Sequence, residues 1–111
     1  MAHLPGIKSN FVNSSRIRTH YLSCGNEKGI PVLFVHGNSS SSVFWEDLMI
    51  ALTNKHKEFW VLAIDQRGYG DTELKKSDAT KGFQDYADDI AAFTEALDIK
   101  QYHIIGHSFG N

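Results

Sequence analysis

The stretch Tyr102-His103-Ile104-Ile105-Gly106-His107-Ser108-Phe109-Gly110-Asn111 decides the fold class of this chain. Its first residues are mostly apolar, which predicts a buried strand over residues 102–105. One glycine then lies two positions before Ser108, and another lies two positions after it. A very sharp turn from a strand into a helix needs glycine on both sides, because side chains there would collide with neighbouring backbone. The spacing therefore predicts a tight bend with the Ser108 hydroxyl exposed at its tip.

The composition is that of a small folded domain. The 111 residues are 41% hydrophobic and 12% aromatic, enough to form a core in one domain or part of one. A formal charge of −2 gives no electrostatic reason to expect nucleic acid or an anionic membrane as a partner. No apolar run approaches the roughly 20 residues of a membrane helix, and residues 1–13 contain no signal-peptide core. We therefore expect a cytoplasmic protein.

The single cysteine fits the same expectation. Cys24 has no second cysteine with which to form an internal disulfide. It precedes Gly25 in a predicted turn, and we expect its thiol to take no part in chemistry.

Hydrophobic patterning predicts the order β-β-β-α-β-α-β. Residues 7–23 favour an antiparallel hairpin of half-buried strands, in which Ile17, Thr19 and Tyr21 alternate with the outward-facing Arg16, Arg18 and His20. Residues 30–35 and 59–64 are continuous apolar runs, typical of strands that are buried on both faces. Helical spacing joins Trp45, Leu48, Met49 and Leu52, and again Phe83, Tyr86, Ile90, Phe93 and Leu97. We therefore predict an α/β protein with a mostly parallel sheet and an N-terminal antiparallel hairpin.

Acidic residues mark the beginning of the second predicted helix. Asp85, Asp88 and Asp89 suit the positive end of the helix dipole. We expect this group to be a solvated helix start.

Ser108 is the candidate nucleophile. A serine hydroxyl attacks a carbonyl group only when a neighbouring base removes its proton, so the hypothesis requires a histidine close by. The alternative is a surface serine in a glycine-rich turn. The preceding strand favours the nucleophile, because that is the context in which this glycine spacing exposes a reactive hydroxyl.

The sequence resembles the α/β-hydrolase fold superfamily in three motifs, each of which follows a predicted parallel strand. They are His36-Gly37-Asn38, Asp65-Gln66-Arg67-Gly68-Tyr69-Gly70 and Gly106-His107-Ser108-Phe109-Gly110. The chain is similar in particular to the branch that contains esterases, lactonases, cofactor-free haloperoxidases and epoxide or haloalkane hydrolases. The resemblance covers essentially the whole chain. It implies that residues 1–111 are the N-terminal part of a single α/β-hydrolase core domain.

The resemblance also implies a set of site residues. Ser108 would be the catalytic nucleophile, and the backbone N–H groups of Asn38 and Phe109 would form the oxyanion hole, with Ser39 as second choice to Asn38. A plain strand-to-helix turn remains the alternative for residues 36–38. Relatives that act on halides and epoxides carry aspartate at the nucleophile position, so Ser108 favours hydrolysis of a small ester, lactone or related acyl compound. No cofactor or metal is implied.

Other polar residues near these motifs are expected to be structural. The resemblance implies that His36 braces its loop, that Arg67 makes structural hydrogen bonds, and that Asp65 is a poor triad acid because the family's acid follows the serine. His107 should point away from the Ser108 hydroxyl. His103 and His107 are four residues apart, but a strand does not bring them onto one face as a helix would, so no metal site is expected.

The aromatic pair Phe44 and Trp45 follows the predicted oxyanion loop. Either ring could contact substrate. Their helical spacing with Leu48 and Met49 favours core packing for at least one of them.

In this fold the triad acid and histidine follow the serine, so both would lie beyond Asn111. We therefore expect the 111-residue chain alone to be inactive and its last strand to leave an uncovered sheet edge. Two alternatives remain open. The chain could belong to a non-catalytic small-molecule binding or signalling protein on the same fold, or it could be an inactive truncated fragment. The C-terminal half could also be a partner supplied as a separate segment or chain.

Overall fold

A five-stranded sheet with a helix on each face forms the centre of the molecule. The computed structural model describes residues 3–37, 40–75, 80 and 84–107. The strands are β1 (Lys8–Asn13), β2 (Arg18–Gly25), β3 (Ile30–Val35), β4 (Phe59–Ile64) and β5 (His103–Gly106). The helices are α1 (Glu46–Lys55), preceded by a 3₁₀ turn at Ser42–Trp45, and α2 (Gln84–Ala96). The predicted order of strands and helices is confirmed.

The sheet is mixed, with the spatial order β1-β2-β4-β3-β5. The β1–β2 hairpin is antiparallel, and β2 also runs antiparallel to β4. Strand β3 lies parallel to both β4 and β5. The predicted parallel sheet with an N-terminal antiparallel hairpin is therefore confirmed. Since the carboxyl ends of β3, β4 and β5 share one edge, the loops that follow these strands lie together there.

The two faces of the sheet carry separate halves of the core. On the α1 face, Phe34 and Met49 are fully buried, and the Trp45 ring stacks on Phe34 with 4.7 Å between centroids. On the α2 face, Phe93 packs edge-on against Tyr21. Trp45 is therefore a core residue, whereas Phe44 is 52% exposed.

Strand β5 is one of the two outer strands of the sheet in the described part of the chain, and β1 is the other. Ile104 and Ile105 point to opposite faces of the sheet and are 50% and 43% exposed. This edge therefore leaves apolar side chains uncovered, as the sequence predicts for a strand that has a neighbour on one side only.

The predicted alternation along the hairpin is wrong for β2. His20 was expected to face solvent, but it is 1% exposed, and all residues from 19 to 24 are buried. The reason is that other segments cover this side chain, since the Phe11 ring lies 5.0 Å from the His20 ring and the Asp65 carboxylate lies 2.6 Å from its Nδ1. Cys24 belongs to this strand and not to a turn, and burial raises the pKa of its thiol.

The prediction of a solvated acidic start for α2 is also wrong. Asp89 accepts two hydrogen bonds from the buried Arg67, at 2.8 Å from Nε and 2.7 Å from Nη2. Arg16 binds the same carboxylate at 3.0 Å and the buried Asp85 at 2.8 Å. Only Asp88 is substantially exposed, with 39% of its side chain accessible. These arginine–aspartate pairs fasten α2 to the hairpin and to the loop after β4.

In the described part of the chain, none of the helices is long and apolar enough to cross a membrane.

We predict that Asp89→Ala lowers the free energy of unfolding by about 3 kcal/mol or more, because it removes the carboxylate that binds the buried Arg67 through two hydrogen bonds. The matched control is Asp88→Ala, which should cost less than about 1 kcal/mol, since that carboxylate lies 3.9 Å from Arg16 near solvent. Urea unfolding followed by tryptophan fluorescence measures both. Equal losses for the two variants would contradict the assigned role of Asp89.

Candidate active site

The end of β5 lies beside the end of β3. Gly106 pairs with Val35 in the parallel register, and the His107 N–H donates to the Val35 carbonyl at 3.2 Å. The segments that leave these strands, beginning at His36 and at His107, are therefore neighbours at the carboxyl edge of the sheet.

Three predicted site residues, Ser108, Phe109 and Asn38, lie outside the described residues, as does Ser39. Their roles as nucleophile and oxyanion-hole donors stay predictions. The structure describes the residues that lead into them.

His36 is fully buried and uses both ring nitrogens to hold its loop. Nδ1 lies 2.7 Å from the Gly37 carbonyl, and Nε2 lies 3.0 Å from the Gln66 N–H. A carbonyl can only accept, so Nδ1 carries the hydrogen and Nε2 accepts from Gln66. The Gln66 side chain returns a bond to the His36 carbonyl at 3.0 Å. Burial lowers the pKa of His36, which keeps the ring neutral, and no ring nitrogen is left for proton transfer.

Asp65 is the second support of this edge, and its carboxylate is 2% exposed. One oxygen accepts the Ser42 N–H at 2.6 Å. The other accepts the Asp71 N–H at 3.1 Å and lies 2.6 Å from Nδ1 of His20. Asp65 therefore joins three segments, namely β2, the 3₁₀ turn that follows the loop of residues 36–41, and the turn after β4.

Asp65 is ionised at neutral pH. Burial raises its pKa, but the hydrogen bonds from His20, Ser42 and Asp71 outweigh burial and hold the pKa below its ordinary value. The stabilisation that these bonds provide is present above the unfolded-state pKa and is lost as pH falls through the lowered pKa. Because its partner is His20, Asp65 acts in the fold and not as the acid for Ser108.

His107 and Phe44 are in ring contact at this edge of the sheet. The exposed His107 ring lies 5.0 Å from the Phe44 ring. Phe44 is therefore the member of the aromatic pair that remains available to contact a ligand.

Among the described residues, one group has donor atoms close enough to hold a metal ion. His20, Asp65 and Asp71 place one donor atom each within 4.8 Å of the others. However, His20 and Asp65 already satisfy each other, and two backbone amides occupy the same carboxylate. The arrangement is thus a complete hydrogen-bonded pair beside an exposed aspartate. Sequence analysis missed His20, because its partners come from other strands and no local spacing marks them.

We predict that Gly70→Ala lowers the free energy of unfolding by about 3–5 kcal/mol. Gly70 has φ +51°, and an added Cβ would overlap the Asp65 carboxylate. The variant therefore combines left-handed strain of about 1–2 kcal/mol with damage to a charged hydrogen-bond network. Gly68→Ala is the matched control, since Gly68 has φ +78° and nothing within 4 Å of its added Cβ. The free energy of unfolding of Gly68→Ala should fall by the strain contribution alone. A similar fall for both variants in urea unfolding would contradict the assigned contact between position 70 and Asp65.

Comparison with known proteins agrees with this geometry. The model of a family described as alpha/beta hydrolase fold matches residues 30–110. The chain is 39% identical to 2-(acetamidomethylene)succinate hydrolase of Mesorhizobium japonicum over 79 residues. These residues make up 71% of this chain and 27% of that protein. The chain is 36% identical over 90 residues to a non-heme chloroperoxidase of Streptomyces lividans, with coverages of 81% and 31%.

A solved structure is similar over nearly the whole chain. The crystal structure of an epoxide hydrolase from Vigna radiata superposes with a TM-score of 0.84 at 28% identity, covering 98% of this chain and 34% of that one. The chain thus spans about a third of the length of these proteins.

Proposed function

Because this chain belongs to the alpha/beta hydrolase fold family, we propose that it supplies the nucleophile and the oxyanion hole of a serine hydrolase. The substrate class is a small ester, lactone or related acyl compound in the cytoplasm. The relatives named above include two hydrolases, an enzyme for 2-(acetamidomethylene)succinate and one for epoxides. A hydrolase is therefore the reaction class that the similarity favours.

The pairing of β3 with β5 carries this proposal. It brings the peptide that leads into Ser108 next to the peptide that leads into Asn38, since His107 donates to Val35 and His36 follows directly. A nucleophile and an oxyanion donor must both lie about 3 Å from the same carbonyl group. Two segments that leave neighbouring strand ends can bring such groups together, and this supports the proposal.

In the proposed mechanism the Ser108 oxygen attacks the acyl carbon. The N–H groups of Phe109 and Asn38 stabilise the negative oxygen of the tetrahedral intermediate, each typically worth about 10²–10³ in rate. A histidine takes the serine proton and passes it to the leaving group, while an acid orients that histidine. Water then releases the acid product by the same route.

Hydrogen bonds hold both ends of the segment that contains the proposed oxyanion donor Asn38. His36 and Gln66 hold its beginning through three hydrogen bonds, and Asp65 holds the amide of Ser42 at its end. Preorganised donors stabilise a transition state without moving during the reaction. This bracing is the part that the described residues play in the proposed catalysis.

The serine also selects the chemistry within the family. An alkoxide from Ser108 forms an acyl ester that water can cleave at the carbonyl carbon. The histidine and acid would come from a segment or chain outside residues 1–111, as the family order of triad residues implies.

We predict that a chimera in which residues 1–111 replace the aligned part of the Streptomyces lividans relative hydrolyses p-nitrophenyl acetate. Ser108→Ala in that chimera should reduce kcat by about 10⁴ to 10⁶, the range found when a triad member is removed. Ser15→Ala, a change in an exposed turn, is the control and should leave kcat unchanged.

The 111-residue chain alone should show no turnover of the same ester, because its serine lacks the base. Turnover by the chain alone that Ser108→Ala abolishes would contradict the proposed need for outside residues. A folded chimera that neither turns over the ester nor forms a fluorophosphonate adduct on Ser108 would favour a binding protein instead.

A further inference from the structure

A second serine is hydrogen-bonded to a histidine, which is itself hydrogen-bonded to an aspartate. This serine lies in β1, at the opposite edge of the sheet from β5. The Ser9 hydroxyl oxygen lies 2.6 Å from Nε2 of His20, and Nδ1 of His20 lies 2.6 Å from a carboxylate oxygen of Asp65. In serine hydrolases the same two ring nitrogens take the same partners, with the carboxylate on Nδ1 and the nucleophile on Nε2.

The direction of these bonds follows from the charge on Asp65. An ionised carboxylate can only accept, so Nδ1 of His20 carries a hydrogen and donates it. In the neutral ring Nε2 then presents a lone pair, and the Ser9 O–H must be the donor. In that state of the ring the serine proton is directed at a base.

The strand pairing fixes this arrangement. In the β1–β2 register Ser9 lies opposite Leu22 and Phe11 lies opposite His20, so the Ser9 and His20 side chains are diagonal neighbours on one face. The Asp65 N–H donates to the His20 carbonyl at 3.0 Å, which brings the carboxylate to the other side of the ring. The Phe11 ring lies 5.0 Å from the His20 ring and helps to shield it.

The histidine and the aspartate are buried while the serine is exposed, as a nucleophilic site requires. His20 and Asp65 are 1% and 2% exposed, whereas Ser9 is exposed on the outer strand β1. A buried histidine–carboxylate pair is held in one orientation and one tautomer, while the hydroxyl remains open to a reagent from solvent.

We propose that Ser9 is an activated nucleophile that accepts an acyl or phosphonyl group from an activated ester, independently of Ser108. The Ser9 oxygen forms a bond to the carbonyl carbon or phosphorus, and the bond to the leaving group breaks. Nε2 of His20 takes the serine proton and returns it to the leaving group. The step ends at the acyl- or phosphonyl-serine.

Fluorophosphonate labelling of the 111-residue chain, with adducts located by peptide mass spectrometry, tests the proposal. Ser9 should be modified about 10²-fold faster than the exposed Ser15, the lower end of what a positioned base contributes. The adduct should persist in Ser108→Ala and Ser15→Ala and disappear in Ser9→Ala. Equal rates at Ser9 and Ser15, or no adduct on Ser9, would overturn it, whereas an adduct on Ser108 bears on the proposed function alone.

A cysteine scan tests the role of His20 without disturbing the buried pair. Ser9→Cys should react with iodoacetamide at pH 7 about tenfold faster than Ser15→Cys, because a histidine partner increases the thiolate fraction. The buried Cys24, whose pKa is raised by burial, provides a slow internal reference in both variants. Indistinguishable rates for the two introduced thiols would show that His20 does not activate position 9.

Discussion

The buried carboxylate of Asp65 is the constraint on which the rest of this molecule depends. A carboxylate is buried at low cost only when hydrogen-bond donors of the protein replace the water that it loses. Here the donors come from β2, from the 3₁₀ turn before α1 and from the turn after β4. The requirement to satisfy one carboxylate therefore fixes three segments relative to one another, and Gly70 is needed because a side chain there would occupy the same space.

The hydrogen bonds of Asp65 position the segments at the carboxyl edge of the sheet. Parallel strands joined by crossover helices bring their ends together, and loops at that edge are free to carry chemistry. His36 and Gln66 hold the beginning of one such segment, since both ring nitrogens of His36 and the side-chain amide of Gln66 are committed to it. The proposed oxyanion hole lies between two fixed points, His36 and Ser42.

A second set of buried charges fastens α2 to the sheet. Arg67 and Arg16 converge on Asp89, and Arg16 also reaches Asp85. Such pairs contribute little net stability over an apolar contact, but removing one member is costly, so they specify where the helix docks. Arg67 and Asp65 lie two residues apart in the chain, and their partners lie in α2 and in β2 respectively. The loop after β4 is thus held from both sides.

The sequence by itself determined the order of strands and helices, because continuous apolar runs and helical spacing are local signals. The ranges predicted for β3 and β4 coincide with those observed, residues 30–35 and 59–64. The three motifs likewise carried the resemblance to the family, which the family model over residues 30–110 confirms. These patterns survive in a single sequence because each records the geometry of its own segment.

Only the tertiary structure decided which polar residues are buried and with what partners. His20 lies in the alternating pattern where an outward residue would, but Phe11 and the Asp65 carboxylate cover its ring, and no local pattern encodes those contacts. Asp89 has the sequence context of a solvated helix start, yet Arg67 and Arg16 reach it from distant segments. Hydrophobic periodicity indicates on which face of its own helix or strand a residue lies. The partner of a buried charge depends instead on how the helices and strands pack together.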